Sequence, residues 1–203
     1  SFHPVKLIAA GEGGMITTNN YDLYKKLLRL RSHGINKLND NFIYSKQAST
    51  DNVDNPWYYE MQDLGFHYRI TDLQSNLALS QMRNIKKYLS KRKKIAKYYD
   101  NNLHNLNNLK IYQRGRRDLS ANHLYVVNID FNKCKFSRAS LMTKMRELGI
   151  VTQVHYIPIP MHPYYSKLGF NMNNLANAKN YYNHCLSLPI LYDLSEHQQK
   201  YVV

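Results

Sequence analysis

The stretch Ser1-Phe2-His3-Pro4-Val5-Lys6, followed by Gly11-Glu12-Gly13-Gly14, is the most informative part of this sequence. A lysine becomes a nucleophile toward aldehydes only when its proton affinity is lowered or when it is held beside an electrophile. Glycines let a backbone approach a bulky ligand because they carry no Cβ. Lysine and glycines together therefore make Lys6 a candidate catalytic residue, although a solvated surface charge would explain the same residues.

Further motifs follow the first segment in a fixed order. They are Arg31-Ser32-His33-Gly34, Pro56-Trp57-Tyr58-Tyr59-Glu60-Met61-Gln62, Leu64-Gly65-Phe66-His67-Tyr68-Arg69-Ile70-Thr71-Asp72-Leu73-Gln74, Asn122-His123-Leu124-Tyr125 and Gln153-Val154-His155-Tyr156-Ile157-Pro158. Taken together, they resemble the sugar-nucleotide aminotransferases of the DegT/DnrJ/EryC1/StrS family. The resemblance implies the α/β fold of the type I, aspartate aminotransferase-like transferases that depend on pyridoxal phosphate.

The same resemblance implies an enzyme that transfers an amino group. Residues 56–62 and 153–158 are most similar to the branch that aminates the 4-keto group of a UDP-linked 6-deoxy-N-acetylhexosamine in pseudaminic acid biosynthesis. L-Glutamate is implied as the amino donor. Another sugar-nucleotide aminotransferase of the family is the alternative, whereas dehydratase relatives carry histidine in place of the lysine. The family implies a cytoplasmic homodimer with shared active sites.

The cofactor-binding residues are also implied by the resemblance. Lys6 matches the lysine that binds pyridoxal phosphate covalently and then moves a proton. Ser1 matches a serine that bonds the cofactor phosphate. His67 stands where the family usually has an asparagine that reaches the phosphate of the other subunit. Histidine can still donate a hydrogen bond to phosphate, but the departure puts this contact in question.

The substrate-binding candidates lie further along the chain. Gln153, Val154, His155 and Tyr156 match the family segment that lines the sugar-nucleotide pocket; packing or a solvated strand edge would be the alternative. Arg69 is a fixed positive charge that could bind an anion, or equally form a salt bridge at a helix start.

A chain of 203 residues is long enough for one large domain or two unequal ones. The resemblance implies that residues 1–84 end the large cofactor-binding domain and begin its connecting helix, and that residues 85–203 form the small carboxy-terminal α/β domain. About the first half of the family pattern is missing, so we expect a fragment that is inactive alone.

Local patterns predict the elements of the first part. We expect a β-like run at residues 15–18, a helix capped by Asn19 or Asn20, and a surface loop at residues 36–55. Thr71 and Gln74 predict a capping box for a helix that continues to about residue 103. Its expected apolar stripe consists of Leu73, Leu77, Ile85 and Leu89.

The second part is expected to alternate strands and helices. The predictions are a strand at residues 123–131, a helix capped by Ser137, a strand at residues 150–157, irregular chain after Pro158, Pro160 and Pro163, a helix around residues 174–186, and a capping box of Ser195 with Gln198.

The formal net charge of +14 raises nucleic-acid binding as a function of a different class. Every charged residue from Arg83 to Lys97 is basic, and Arg114, Arg116 and Arg117 form a second cluster. The first run lies on a predicted helix, where charges usually form the solvated face, and no nucleic-acid-binding signature accompanies it. We therefore expect no nucleic-acid partner. A non-catalytic interaction domain is a third possibility, against which the intact Lys6 argues.

The remaining composition favours no membrane or metal site. No apolar run approaches the roughly 20 residues that span a bilayer. Cys134 and Cys185 are far apart in sequence and form no metal-type or redox-type pair, so we expect free thiols and no metal.

Overall fold

The computed structural model describes residues 1–37 and 42–203. The chain divides into two units, Ser1–Met82 and Arg83–Val203. Each unit has its own secondary structure.

The first unit consists of short elements and two longer helices. In chain order they are α1 (Tyr21–Leu30), β1 (Ile35–Asn36), α2 (Ser45–Ala48), β2 (Ser49–Thr50), β3 (Val53–Asp54), β4 (Glu60–Met61) and α3, which runs from Asp72 to Arg83. Strand β1 pairs antiparallel with β4, and β2 pairs antiparallel with β3. Helix α1 begins where predicted, because Asn20 Oδ1 accepts a hydrogen bond of 2.9 Å from the Leu23 amide.

Two predictions for the first unit are wrong. The loop predicted at residues 36–55 contains α2 and the β2–β3 hairpin; residues 38–41 of that loop lie outside the described residues. The hairpin forms because Asp51 and Asn52 both take positive φ, 50° and 63°, which suits the right-handed twist of paired strands. Residues 15–18 form no strand, since no other strand in the described ranges pairs with them, and Met15 is 72% exposed.

The side chain of Glu60 links β4 to the residues that precede α2 and to its own neighbours in the chain. Its carboxylate accepts hydrogen bonds from the backbone amides of Ile43 and Tyr44, from the Tyr58 hydroxyl and from Gln62 Nε2, at 2.7–2.9 Å. Burial raises the pKa of a carboxyl, but these hydrogen bonds to its ionised form outweigh burial and lower the pKa of Glu60 to about 2. Glu60 is therefore ionised at neutral pH and organises this segment.

The second unit packs helices against an antiparallel sheet. Its elements are α4 (Ile85–Leu103), β5 (Leu109–Ile111), β6 (Tyr125–Ile129), α5 (Arg138–Glu147), α6 (Pro163–Lys167), α7 (Ala176–His184), β7 (Cys185–Leu188) and α8 (Glu196–Val202). The strand order is β5-β6-β7. Side chains of β6 alternate between buried and half-buried, and Ile95, Ala96 and Tyr99 of α4 lie in the same apolar core.

The other three capping predictions are also confirmed. Ser137 caps α5 with Ser140 as its reciprocal partner, and Ser195 and Gln198 form the capping box of α8. At the start of α3 the Gln74 amide donates to Thr71 Oγ1 at 3.3 Å, while Gln74 Oε1 accepts from the Thr71 amide at 3.2 Å. Side chains that satisfy the first amides of a helix are predictable from sequence because the interaction is local.

The longer-range predictions for helices and strands are partly wrong. The expected single helix breaks at Asn84, and Leu73 and Leu77 are exposed rather than part of a buried stripe. Of the strand expected at residues 150–157, only a bridge from Gln153 to β7 forms. The end of the helix expected around residues 174–186 is instead the start of β7, which is selected by pairing with β6 rather than by local propensity.

The prediction of irregular chain after the three prolines is also wrong for one segment. Pro163 opens α6 where irregular chain is predicted, because the first helical position needs no amide hydrogen.

Two arginines of the basic clusters lie inside the second unit. Arg117 forms a bidentate pair with Asp100 at 2.8 and 2.9 Å, and the Tyr125 hydroxyl donates to the same carboxylate at 2.9 Å. Arg92 Nη1 donates to three backbone carbonyl oxygens, including that of Ile190 at 2.7 Å. The expectation that the first basic run is a solvated face is therefore wrong for Arg92, which is 9% exposed.

We predict that Arg117→Ala destabilises the second unit by about 3–5 kcal/mol, because it leaves the buried Asp100 carboxylate without its partner. Lys93→Ala removes an exposed partner of Asp118 and should cost less than about 1 kcal/mol. Native-state hydrogen exchange of the α4 and β6 amides, in the complete polypeptide that carries these residues, measures both. Equal losses for the two variants would contradict the assigned role of the buried pair.

Candidate active site

Residues 1–14, here called the lysine loop, are closed by hydrogen bonds on both sides of Phe2. The Phe2 amide donates to the Gly13 carbonyl at 2.8 Å, and the Phe2 carbonyl accepts from the Ala10 amide at 2.8 Å. Between these anchors the Lys6 amide donates to the His3 carbonyl at 2.9 Å, which forms a turn. The Lys6 side chain is consequently exposed from a loop whose base is fixed.

Gly13 brings the lysine loop against the segment that follows Arg69. A Cβ built on Gly13 would lie 3.1 Å from Ile70 Cδ1 and 3.5 Å from Phe2 Cδ2, and its φ of +135° also disfavours a side chain. The glycine is thus needed for the close packing of the loop on Ile70. This contact brings two of the sequence motifs together within the first unit.

Lys6 and Ser1 are the candidate functional residues of the lysine loop. Among the described residues Lys6 forms no ion pair within 4 Å, while the nearby His3 lies 3.8 Å from the Glu12 carboxylate. Ser1 Oγ accepts from the His3 amide at 3.4 Å. A primary amine and a hydroxyl on one closed loop are the groups that could hold a cofactor carrying an aldehyde and an anionic substituent.

His67 is held by another of the ordered motifs of this unit, residues 31–34. Ser32 and His67 form an antiparallel bridge, and the His33 amide donates to the Phe66 carbonyl at 3.0 Å. The rings of His33 and His67 meet edge to face with centroids 5.4 Å apart. These contacts fix the backbone and ring of His67 while its side chain stays exposed.

Two glycines allow residues 31–34 to lie close to residues 63–67. Gly34 has a φ of +69°, and a Cβ on it would lie 1.7 Å from the Asp63 carbonyl oxygen. A Cβ on Gly65 would lie 2.4 Å from the Gly34 amide nitrogen. The Arg29 guanidinium pairs with the Asp63 carboxylate at 2.5 Å beside the same contact.

Arg69 is exposed, and within residues 1–37 and 42–203 it takes part in no ion pair. The salt bridge considered for it at the start of the helix is thus not found in this part of the chain. Its guanidinium is available to an external anion.

The substrate-binding candidates Gln153, Val154, His155 and Tyr156 lie in the second unit, alongside β7. Ser187 and Gln153 exchange backbone hydrogen bonds of 2.8 and 3.2 Å, and His155 Nδ1 lies 2.8 Å from Ser187 Oγ. The rings of His155 and Tyr156 are perpendicular, with centroids 4.4 Å apart, and Tyr156 is 68% exposed.

Ser187 is a residue that the sequence does not identify, because its hydroxyl meets His155, which is distant in sequence, and it belongs to none of the motifs quoted above. Ile70 lies in the motif of residues 64–74, but its packing on Gly13 is not apparent from the sequence.

The structure contains no assembled metal-ligand set in its described part, where no three His, Cys, Asp or Glu side chains group suitably. Cys134 and Cys185 are free, and burial raises the pKa of the Cys185 thiol. Nor does any helix in the described ranges have the length and apolar character needed to cross a membrane.

Comparison with known proteins identifies relatives over the whole sequence. The DegT/DnrJ/EryC1/StrS aminotransferase family matches residues 1–203. The spore coat polysaccharide biosynthesis protein SpsC of Bacillus subtilis is 35% identical over 97% of this chain and 49% of its own length. The UDP-4-amino-4,6-dideoxy-N-acetyl-beta-L-altrosamine transaminase of Campylobacter jejuni serotype O:23/36 is 32% identical over 100% of this chain and 49% of its own. The chain spans about half the length of the curated relatives it matches.

A solved structure is similar over the same range. It is Helicobacter pylori PseC, described as an aminotransferase involved in the biosynthesis of pseudoaminic acid, with a TM-score of 0.82 and 29% identity over 100% of this chain and 50% of that one. The likeness confirms the predicted fold class: the chain has the mixed α/β architecture of the type I, aspartate aminotransferase-like fold.

Gly34→Ala is predicted to cost on the order of 4 kcal/mol of stability, because a methyl group cannot coexist with the Asp63 carbonyl at its present position. Gly115→Ala is the matched control: its φ of +79° is similar, but no atom lies within 4 Å of the added Cβ. The control should cost about 1–2 kcal/mol from backbone strain alone. Urea unfolding followed by circular dichroism compares the two, and equal costs would show that close approach does not determine the need for Gly34.

Proposed function

We propose that this chain, which belongs to the DegT/DnrJ/EryC1/StrS aminotransferase family, carries the cofactor lysine of a pyridoxal-phosphate-dependent sugar-nucleotide aminotransferase. The observation that carries the proposal is the exposed Lys6 on a loop closed at Phe2, with a hydroxyl on the same loop. The reaction converts the 4-keto group of a UDP-linked 6-deoxy-N-acetylhexosamine to an amine, with L-glutamate as the donor.

The names of two groups of relatives bear on the sugar. The relative from Campylobacter jejuni, and one from Helicobacter pylori that is 31% identical over 93% of this chain, are named as the altrosamine transaminase, which supports a substrate of the pseudaminic acid pathway. The Bacillus subtilis relative has a similar identity and a different name. Amination of another nucleotide-linked keto sugar therefore remains the alternative within the family.

The residues of the lysine loop fit pyridoxal phosphate by their chemistry. Bound pyridoxal phosphate supplies an aldehyde that exchanges amines and a ring that accepts electrons. Lys6 is the only lysine of the loop and offers a flexible primary amine that can attach to an aldehyde and, once released, accept and return a proton. Ser1 can donate its hydroxyl hydrogen to a phosphate oxygen.

The other candidates hold anions and the sugar nucleotide. His67, with its ring fixed against His33, donates to the cofactor phosphate of a second subunit, and Arg69 provides a fixed positive charge for an anion. Residues 153–156 line the sugar-nucleotide pocket. Because His67 is proposed to contact the cofactor phosphate of a second subunit, the active protein in this proposal is a homodimer. We also propose that it is located in the cytoplasm.

The domain organisation belongs to the same proposal. Residues 1–84 end the large domain and residues 85–203 form the small one, which agrees with a chain that divides after Met82. Because the chain spans about half the length of these relatives, the proposed amino transfer is an activity of the complete polypeptide that carries these residues.

The test is amine transfer by the complete polypeptide that carries these residues. With L-glutamate and the UDP-linked 4-keto sugar, mass spectrometry should detect the amino sugar. Lys6→Ala should lower the rate by about 10³-fold or more, because the loop then has no group to move the proton. Lys6→Arg should not restore it, since guanidinium is a poor nucleophile and does not release its proton.

Lys26→Ala is the control, because Lys26 is an exposed lysine of α1 outside the lysine loop, and it should leave the rate unchanged. Full activity of the Lys6→Ala variant would overturn the proposal.

A further inference from the structure

We propose that Ser187 is a positioning residue of the sugar-nucleotide site, which sets the orientation of the His155 imidazole through a side-chain hydrogen bond. The inference rests on the proposed function, because it requires residues 153–156 to contact the nucleotide sugar. Ser187 lies outside every motif by which the sequence resembles its family.

Strand β7 is the template on which this part of the site is built. All four of its residues are buried, and Ser187 is 5% exposed. Its backbone amide and carbonyl both bond Gln153, which aligns the start of residues 153–156 with the sheet. The backbone at the start of the segment is therefore held independently of the serine side chain.

The serine hydroxyl has a specific role beyond these backbone contacts. The other members of β7 are Cys185, Leu186 and Leu188, which suit the apolar core that the strand joins. A buried hydroxyl is costly unless it has a partner, and here the partner is His155 Nδ1 at 2.8 Å. The hydroxyl group is thus explained by the imidazole, not by packing.

The hydrogen bond from Ser187 orients the exposed end of residues 153–156 through the contact between the His155 and Tyr156 rings. An imidazole held at Nδ1 cannot rotate freely about its χ2 angle, which otherwise has a broad distribution. Tyr156 packs edge to face on that ring and is 68% exposed. A contact made inside the sheet therefore determines where an imidazole and a phenol are presented to the ligand. Preorganised groups of this kind improve binding because less freedom is lost when the ligand arrives.

The main test compares kinetic constants in the complete polypeptide. Ser187→Ala should raise KM for the UDP-linked 4-keto sugar about 3- to 10-fold, the range of one net hydrogen bond, with kcat changed less than about twofold. KM for L-glutamate should change less than KM for the sugar, because the proposal places residues 153–156 against the sugar nucleotide. Ser187→Thr keeps the hydroxyl and should retain a nearly normal KM. Ser90→Ala, at an exposed serine of α4, is the matched control.

Two further measurements separate positioning from a general loss of structure. The dissociation constant for UDP-N-acetylglucosamine, which has no keto group to react, should rise by the same factor in Ser187→Ala when measured by calorimetry. Ser187→Ala and His155→Ala should also be non-additive, because the serine acts only through the imidazole. Ser187→Cys, which keeps the size of the side chain but bonds weakly, should behave as Ser187→Ala does and serves if the alanine variant folds poorly.

The outcomes distinguish this inference from the proposed function. A wild-type protein that aminates no UDP-linked keto sugar refutes the proposed function. An active wild type whose KM and dissociation constant are unchanged by Ser187→Ala or Ser187→Cys refutes the positioning role. The role is also refuted if Ser187→Thr is as impaired as Ser187→Ala, since packing rather than the hydroxyl would then matter.

Discussion

The hydrogen bonds on the two sides of Phe2 are the constraint on which the lysine loop depends. They join Phe2 to Gly13 and to Ala10, so a segment without regular secondary structure acquires a fixed base. Gly13 then lets the loop pack on Ile70, and the same chain segment holds His67 against residues 31–34. Backbone contacts allowed by glycines thus fix the base of the loop that carries the flexible amine of Lys6.

In the second unit, a strand of the sheet positions the substrate-binding candidates. Buried strand β7 pairs with the backbone of Gln153, and its one serine reaches His155. In the same unit, the buried pair of Asp100 and Arg117 links α4 to the chain before β6. Charges that suggest a nucleic-acid surface in the sequence are in part internal, because Arg92 and Arg117 bond backbone carbonyls and a buried carboxylate. The basic clusters of the sequence are therefore not entirely surface charge.

Local interactions and the order of the motifs were predictable from the sequence. Asn20, Ser137 and Ser195 cap helices as expected, since each cap involves residues within three positions, and the motif order led to the correct family and fold. Only the first two residues of β7, Cys185 and Leu186, were predicted as helix, and they form a strand because its conformation depends on pairing with β6, some sixty residues away.

The candidate site residues likewise divide into those that the sequence identifies and those that only the folded structure reveals. Lys6 could be named from its surroundings in the sequence, whereas Ser187 could not, since its partner His155 is distant in sequence and meets it only in the folded sheet. The most direct test of the account is to reduce the complete, cofactor-loaded polypeptide with borohydride and map the modified peptide by mass spectrometry. The account predicts a pyridoxyl group on the peptide that contains Lys6; its attachment to a different lysine, with Lys6 unmodified, would contradict the central claim.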